Sequence, residues 1–399
     1  MNTASARWAL FFANIGHTLT HLMMLLYPTV VLTLGSAFDL GYGALMWLSV
    51  PGMVLYGLAA LPAGWLGDRW SAERMMVVFF VGSGCGAIAT SLAQSPLGIA
   101  LGLGVIGLFG SIYHPVGTAW LVRHAENRGR MLGWNGIFGS LGIGAGPIVA
   151  ASLTALYGWR AAFLVPGVLS LALGLALGLL VRGGSVVPAL ADRKTYAEPE
   201  SADVRRAFML LSITMLSTGI VVQALTNVLP KLFELRLTDL TQGGLVGTGG
   251  MVSLVFVFSA GFQMIGGMLA DRFPMKWIYL VCWAIQVPVM VAATRLFELP
   301  LFAAMLLSLT LTAAATPTEN ALLVHYTPQR WRATAFGAKF LLSLGVSALA
   351  VPLIAVVYDH TGDFVWLFLV LGVLAAIITL TAVFLPREGR GVGVPAPAE

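Results

Sequence analysis

Twelve runs of about 20 mostly apolar residues, separated by short polar turns, account for nearly all of this chain. That length is what an α-helix needs to cross the hydrocarbon of a bilayer. Inside a bilayer every backbone N–H and C=O must be paired within the protein, so such runs are helices rather than open strands. Of the 399 residues, 58% are hydrophobic and only 10% are charged, against about 25% charged in soluble domains. A water-soluble core cannot hide that much apolar sequence. The 46 glycines do not weaken the helical reading, since Gly and Pro are commoner in membrane helices than in soluble ones.

Charge orients the runs. With the N-terminus inside, the inner segments hold 17 Lys and Arg, while the outer turns hold 4: Arg160, Lys231, Arg236 and Arg295. Lys339 falls within a run. The positive-inside rule then puts both termini in the cytoplasm. The net charge of +5 reflects this topology, and no solvated basic face suggests nucleic acid. Met1 to Arg7 leads into the first run without a cleavage site, so a retained helix is expected. Cys85 and Cys282 lie in separate apolar runs and read as small hydrophobes.

The pattern repeats at half length. Gly64-Trp-Leu-Gly-Asp68-Arg69, with Arg74 after it, is answered 203 positions on by Gly267-Met-Leu-Ala-Asp271-Arg272, with Lys276 after it. Pro28 is answered by Pro230, and Gly142 by Gly345. Two six-span units follow, at 1–182 and 207–386. Residues 183–206, charged and carrying two prolines, read as a cytoplasmic linker, and 387–399 as a disordered cytoplasmic tail.

The duplicated turn G-x-x-x-D-R-x-x-x-x-(R/K) resembles the cytoplasmic loop signature of the major facilitator superfamily. The resemblance covers nearly the whole chain. It implies an all-α membrane fold of twelve helices in two pseudo-symmetric six-helix bundles, related by an axis along the membrane normal. It implies a substrate site between them near the midplane. Gly64, Asp68, Arg69, Arg74, Gly267, Asp271 and Arg272 are then gating residues. Trp70-Ser-Ala-Glu73 departs from the usual run of small and basic residues.

The fifth run carries Gly136, Gly139, Gly142, Gly144, Gly146 and Pro147. Glycines three and four apart form a flat face for close helix packing, and Pro147 bends the helix. The stretch resembles the fifth-helix motif of superfamily exporters, with Gly139, Gly142, Gly146 and Pro147 as its packing residues. Its counterpart, Ser343-Leu-Gly345-Val-Ser347, is weaker.

Polar groups within spans are costly, about 2.5–3.5 kcal/mol for a charge at a helix centre. His17 and His21 lie in the first run and His114 in the fourth. Gln223 and Asn227 lie in the seventh, Glu319 and Asn320 in the tenth. In the family these runs line the central cavity. Asn135, Gln263, Gln286 and Lys339 lie on other helices. His17 and His21, four apart, share a helix face and with a third histidine could hold zinc. The preferred reading is hydrogen-bonded cavity histidines that bind substrate or relay protons, with no metal and no cofactor. Glu319 is a candidate proton carrier unless it pairs with Lys339.

Gly16-His17-Thr-Leu-Thr-His21, Tyr27-Pro28, Tyr113-His114-Pro115-Val-Gly117 and Arg128-Gly-Arg130 resemble the fosmidomycin-resistance branch. That implies proton-driven efflux of a small polar or amphiphilic molecule across a bacterial inner membrane. The alternative is a proton-coupled importer of a small metabolite or metal chelate. No P-loop is present, so ATP is not the driver. Neither a catalytic centre nor a separate sensory domain is expected. The expected partners are a small-molecule substrate, protons and membrane lipid, and the expected state is a monomer.

Overall fold

The computed structural model describes residues 3–187, 201–327, 338–339 and 341–385. Among these, twelve helices are long and apolar enough to cross a membrane. They are α1 (Ala4–Thr33), α2 (Tyr42–Gly67), α3 (Ala72–Ser91), α4 (Pro96–His124), α5 (Arg130–Tyr157) and α6 (Trp159–Arg182), followed by α7 (Arg206–Arg236), α8 (Leu245–Ala270), α9 (Met275–Ala293), α10 (Glu298–Tyr326), α11 (Leu341–Thr361) and α12 (Val365–Val383). No strand occurs among the described residues.

Packing obeys the repeat. In the first half α1 lies on α5, α2 on α4, and α3 on α4 and α6. In the second half α7 lies on α11, α8 on α10, and α9 on α10 and α12. The halves meet where α5 packs on α8 and α2 on α11. Glycine allows the tightest of these approaches. A Cβ on Gly107 of α4 would sit 2.0 Å from Gly52 O of α2, and in the matching pair a Cβ on Gly266 of α8 would sit 2.1 Å from Ala314 O of α10. Large apolar side chains such as Leu175, Leu179 and Leu380 are exposed, as lipid-facing residues of a bundle should be.

The span between the halves departs from its expected boundaries. Val186 is buried, Val187 N–H donates to Ser5 Oγ (2.9 Å), and His124 Nε2 lies 3.2 Å from Val187 O. Val186 and the Val187 backbone thus pack against α1 and α4, while Gly183, Gly184 and Ser185 are exposed. The helix containing α7 begins at Ser201, inside the expected 183–206, because helical hydrogen bonding continues past the end of the apolar run. Residues 188–200 and the expected tail 387–399 lie outside the described residues.

Candidate functional site

Three histidines converge at the centre of the first half. Successive turns of α1 present His17 and His21, whose Nε2 atoms lie 3.2 Å apart. His114 arrives from α4, which widens into a π-turn over Tyr113–Gly117. Its ring centroid is 5.5 Å from that of His17 and 5.3 Å from that of His21. Such π-turns are rare and concentrate at functional sites. All three rings are half-buried, and one nitrogen from each lies within 4.8 Å of the others.

The surroundings hold His17 firmly. Its Nδ1 lies 2.7 Å from Asn135 O, and its ring stacks on Tyr113 with centroids 4.9 Å apart. Gly139 gives it room, since a Cβ there would come within 2.5 Å of the imidazole. Gly142 lies against Thr18 O and Gly146 against Leu25 Cβ. The glycine face is therefore the seat on which α1 carries its histidines. Asn135 also donates to Tyr113 Oη (2.9 Å) and Asn14 Oδ1 (3.0 Å), while Tyr113 donates to Ala13 O (2.9 Å). Asn14 was missed in the sequence. Its signal was the cost of an amide one turn before His17.

The other polar residues fall into separate groups. Lys339 donates to Asn320 Oδ1 (2.6 Å) and forms an ion pair with Glu319 Oε2 (3.3 Å). Glu319 is buried, and its Oε1 has no partner among the described residues. Gln223 Nε2 reaches Met53 Sδ of α2 (3.3 Å), and Asn227 Nδ2 donates to Gln223 O (2.8 Å). Both amides are buried. The residues expected in one cavity thus divide into a half-buried histidine cluster, a buried ion pair and a buried interface pair. Gln286 is satisfied by Ser308 and Thr312 and ties α9 to α10.

A cavity of about 890 Å³ lies between α5, α8 and α10. Arg130, Gly136, Ser140, Gln263, Pro317 and Asn320 are among its lining residues. It reaches Arg130 at the start of α5, on the face that bears the charged turns. The opposite face is joined. Gly43 N–H donates to Asp359 Oδ1 (3.1 Å), and the Tyr42 and Tyr358 rings are 5.0 Å apart. Lys231 Nζ lies 5.5 Å from each of those ring centroids. One residue after Pro147, Ile148 N–H donates to Ser253 Oγ of α8 (3.0 Å).

The two charged turns differ. Ser71 caps α3 by accepting from Arg74 N (3.2 Å), and buried Glu73 accepts from Ser71 Oγ (2.7 Å) and Trp120 Nε1 (3.1 Å). Arg69 lies over the Trp65 ring at 4.2 Å, and Arg74 is 6.0 Å from the Trp70 ring. A Cβ on Gly64 would meet Pro115 of α4 at 3.2 Å, whereas one on Gly267 would meet nothing within 4 Å. Arg272 is exposed. The side chains of Asp68 and Asp271 lie outside the described residues.

Comparison with known proteins agrees with this architecture. The chain is 31% identical to the "Multidrug resistance protein MdtG" of Enterobacter lignolyticus over 159 residues, 39% of this chain and 38% of that protein. It is 31% identical to the Escherichia coli protein of that name over 33% of this chain and 32% of that one. The matches thus span about a third to two fifths of these relatives. In fold, a bacterial homologue of the human lysosomal transporter Spinster, inward-facing and occupied, superposes with a TM-score of 0.74 at 14% identity, covering 96% of this chain and 94% of that one. A D-xylose–proton symporter gives 0.72 at 14% identity, covering 96% and 97%. The Major Facilitator Superfamily profile matches residues 10–337 and 211–399. The chain therefore belongs to the Major Facilitator Superfamily, as a multi-pass membrane transporter and not an enzyme.

Proposed function

We propose that the chain exports a small polar or amphiphilic molecule across the inner membrane by alternating access, with protons moving the other way. The observation that carries this reading is the asymmetry between its two ends. Gly43–Asp359, Tyr42–Tyr358 and Ile148–Ser253 join the halves at one face, and a cavity of about 890 Å³ parts α5 from α8 and α10 toward the other. The bias of 17 basic residues against 4 assigns the open face and both termini to the cytoplasm. In that state an exporter takes up cargo. The partial likeness to multidrug resistance proteins and the glycine face of α5 favour export. The fosmidomycin-resistance branch rests on the motifs alone.

With Glu319 engaged by Lys339, proton coupling falls to the histidine cluster. Asp68 and Arg69 serve as the latch of the cytoplasmic gate, so Asp68→Asn lowers transport at normal abundance. The direct test uses proteoliposomes and a panel of small amphiphilic fluorophores. With the lumen more acidic than the bath, an antiporter accumulates dye as protons leave. Accumulation only with an alkaline lumen makes the chain a proton-coupled importer.

A further inference from the structure

We infer that His17, His21 and His114 form a binding site for one divalent transition-metal ion of the zinc class, with a fourth position left for water or an anionic oxygen donor. Zinc takes imidazole nitrogen at about 2.0–2.1 Å in tetrahedral geometry, so two ligand nitrogens stand about 3.3–3.4 Å apart. The two Nε2 atoms of His17 and His21 are 3.2 Å apart, already close to that edge. One nitrogen from each of the three rings lies within 4.8 Å of the others, which leaves at most about 1.5 Å of closure to reach the same edge.

The neighbours of His17 supply a second, independent argument. A backbone carbonyl only accepts, so Nδ1 at 2.7 Å from Asn135 O carries the ring proton. The Nε2 lone pair then faces His21 Nε2 at 3.2 Å. Donation of the remote N–H to a carbonyl is the arrangement that orients metal-bound histidines. Tyr113 stacked on one side and Gly139 in contact with the ring restrict the imidazole further. This is how a ligand is preset, and a histidine that merely fills space needs none of it.

Charge defines what completes the site. Three neutral imidazoles leave the ion's double charge uncompensated, and the acidic side chain buried within α10, Glu319, is engaged by Lys339. An oxygen anion in the fourth position balances the charge best, either hydroxide or a donor atom of a chelating cargo. Imidazole-only sites suit zinc, copper and nickel, and not magnesium or calcium.

The competing account of the 3.2 Å contact is a plain hydrogen bond between two neutral rings. Tag-free, full-length protein in detergent separates them by binding alone, so failure of the export reading leaves this test intact. Equilibrium dialysis with Zn²⁺ should give one saturable ion per chain. Co²⁺ at the same site should show the intense visible bands of a tetrahedral complex. His21→Gln and His114→Gln keep side-chain bulk and should each weaken Zn²⁺ binding. Gly139→Ala, which pushes on the His17 ring without removing a ligand, should weaken it about 10–100-fold, as loss of an orienting contact does. Size-exclusion profiles and metal-free melting curves show whether each variant is folded. The inference fails if the parent binds no saturable Zn²⁺, if its Co²⁺ spectrum is octahedral, or if the triple glutamine variant binds as the parent does.

Discussion

Helix α4 of the first half and α10 of the second occupy matching places, and each carries an ionisable side chain and a proline into the membrane. In α4 these are His114 and Pro115, in α10 Glu319 and Pro317. Their surroundings are opposite in kind. His114 meets two other imidazoles in a half-buried cluster, whereas Glu319 is buried against Lys339. The flanking helices diverge as well. His21 of α1 matches Gln223 of α7, and His17 matches Gly219. The His17 ring rests on Gly139 of α5, but a Cβ on Gly219 would lie 2.6 Å from Ser343 Cα of α11. At this level one half places an imidazole between two helices that the other half brings together backbone to backbone. A duplicated fold keeps its packing scheme while each copy takes its own electrostatics. Three imidazoles gathered in one cluster sit in the first half, and a buried ion pair that is costly to break sits in the second.

The largest expected effect tests that contrast directly. Lys339→Met leaves Glu319 buried without its partner and should destabilise the protein by about 3–5 kcal/mol, with Glu319→Gln added to it restoring most of the loss. Denaturant titration in mild detergent measures both. His114→Gln, which removes no ion pair, should cost far less. Equal losses in the two halves would erase the distinction between a buried ion pair and a cluster that holds none.

The glycine faces come next. Gly142→Ala places a Cβ 2.2 Å from Thr18 O, which cannot retreat because it belongs to a helix backbone. The expected cost is about 1–3 kcal/mol, the usual range for overpacking. A Cβ on its repeat partner Gly345 would meet the Leu341 side chain at 3.4 Å and the Gly57 backbone at 3.6 Å, both ordinary van der Waals contacts, so Gly345→Ala should change stability by less than about 0.5 kcal/mol. A similar loss at both positions would mean that the two faces pack alike.

Smaller again is the cap on α3. Ser71→Ala removes the bond to Arg74 N and should cost about 1 kcal/mol. The matching helix α9 has Pro274 at its cap position and no side-chain cap, so the second turn has nothing equivalent to lose. The smallest effect has the opposite sign. With open space beside it, Gly267→Ala should stabilise its helix by up to about 1 kcal/mol, while Gly64→Ala must displace Pro115 and should not. Thermal unfolding of the two alanine variants side by side decides the matter.

Much of the architecture was legible because its causes are local. Spans follow from apolar length, helices from the need to pair backbone groups inside lipid, and the twofold plan from residues repeating at 203. His17 and His21 were visible as a pair since four residues make one helical turn. Asn135, by contrast, looked like an exception on the wrong helix, yet it anchors His17. Its role depends on α5 lying against α1 across more than a hundred residues. Glu319 looked like a free proton carrier, with pairing to Lys339 as the alternative. The approach of Lys339 to α10 brings the two into an ion pair, a contact between helices that spacing along one helix does not give. The start of the α7 helix at Ser201 was not legible because helical hydrogen bonding outlasts the apolar run.

The sequence by itself determined the solvent, the number of spans, the duplication and the kinds of polar residue carried into the membrane. Each rests on composition or on spacing along one helix. The tertiary structure alone decided which polar groups meet, which glycines bear a neighbour, and which end of the interface is joined. Those outcomes depend on contacts of a few ångströms between helices far apart in the chain. In a bilayer such contacts are selected by shape and by polar pairing rather than by hydrophobicity, and a row of similar apolar runs carries little record of either.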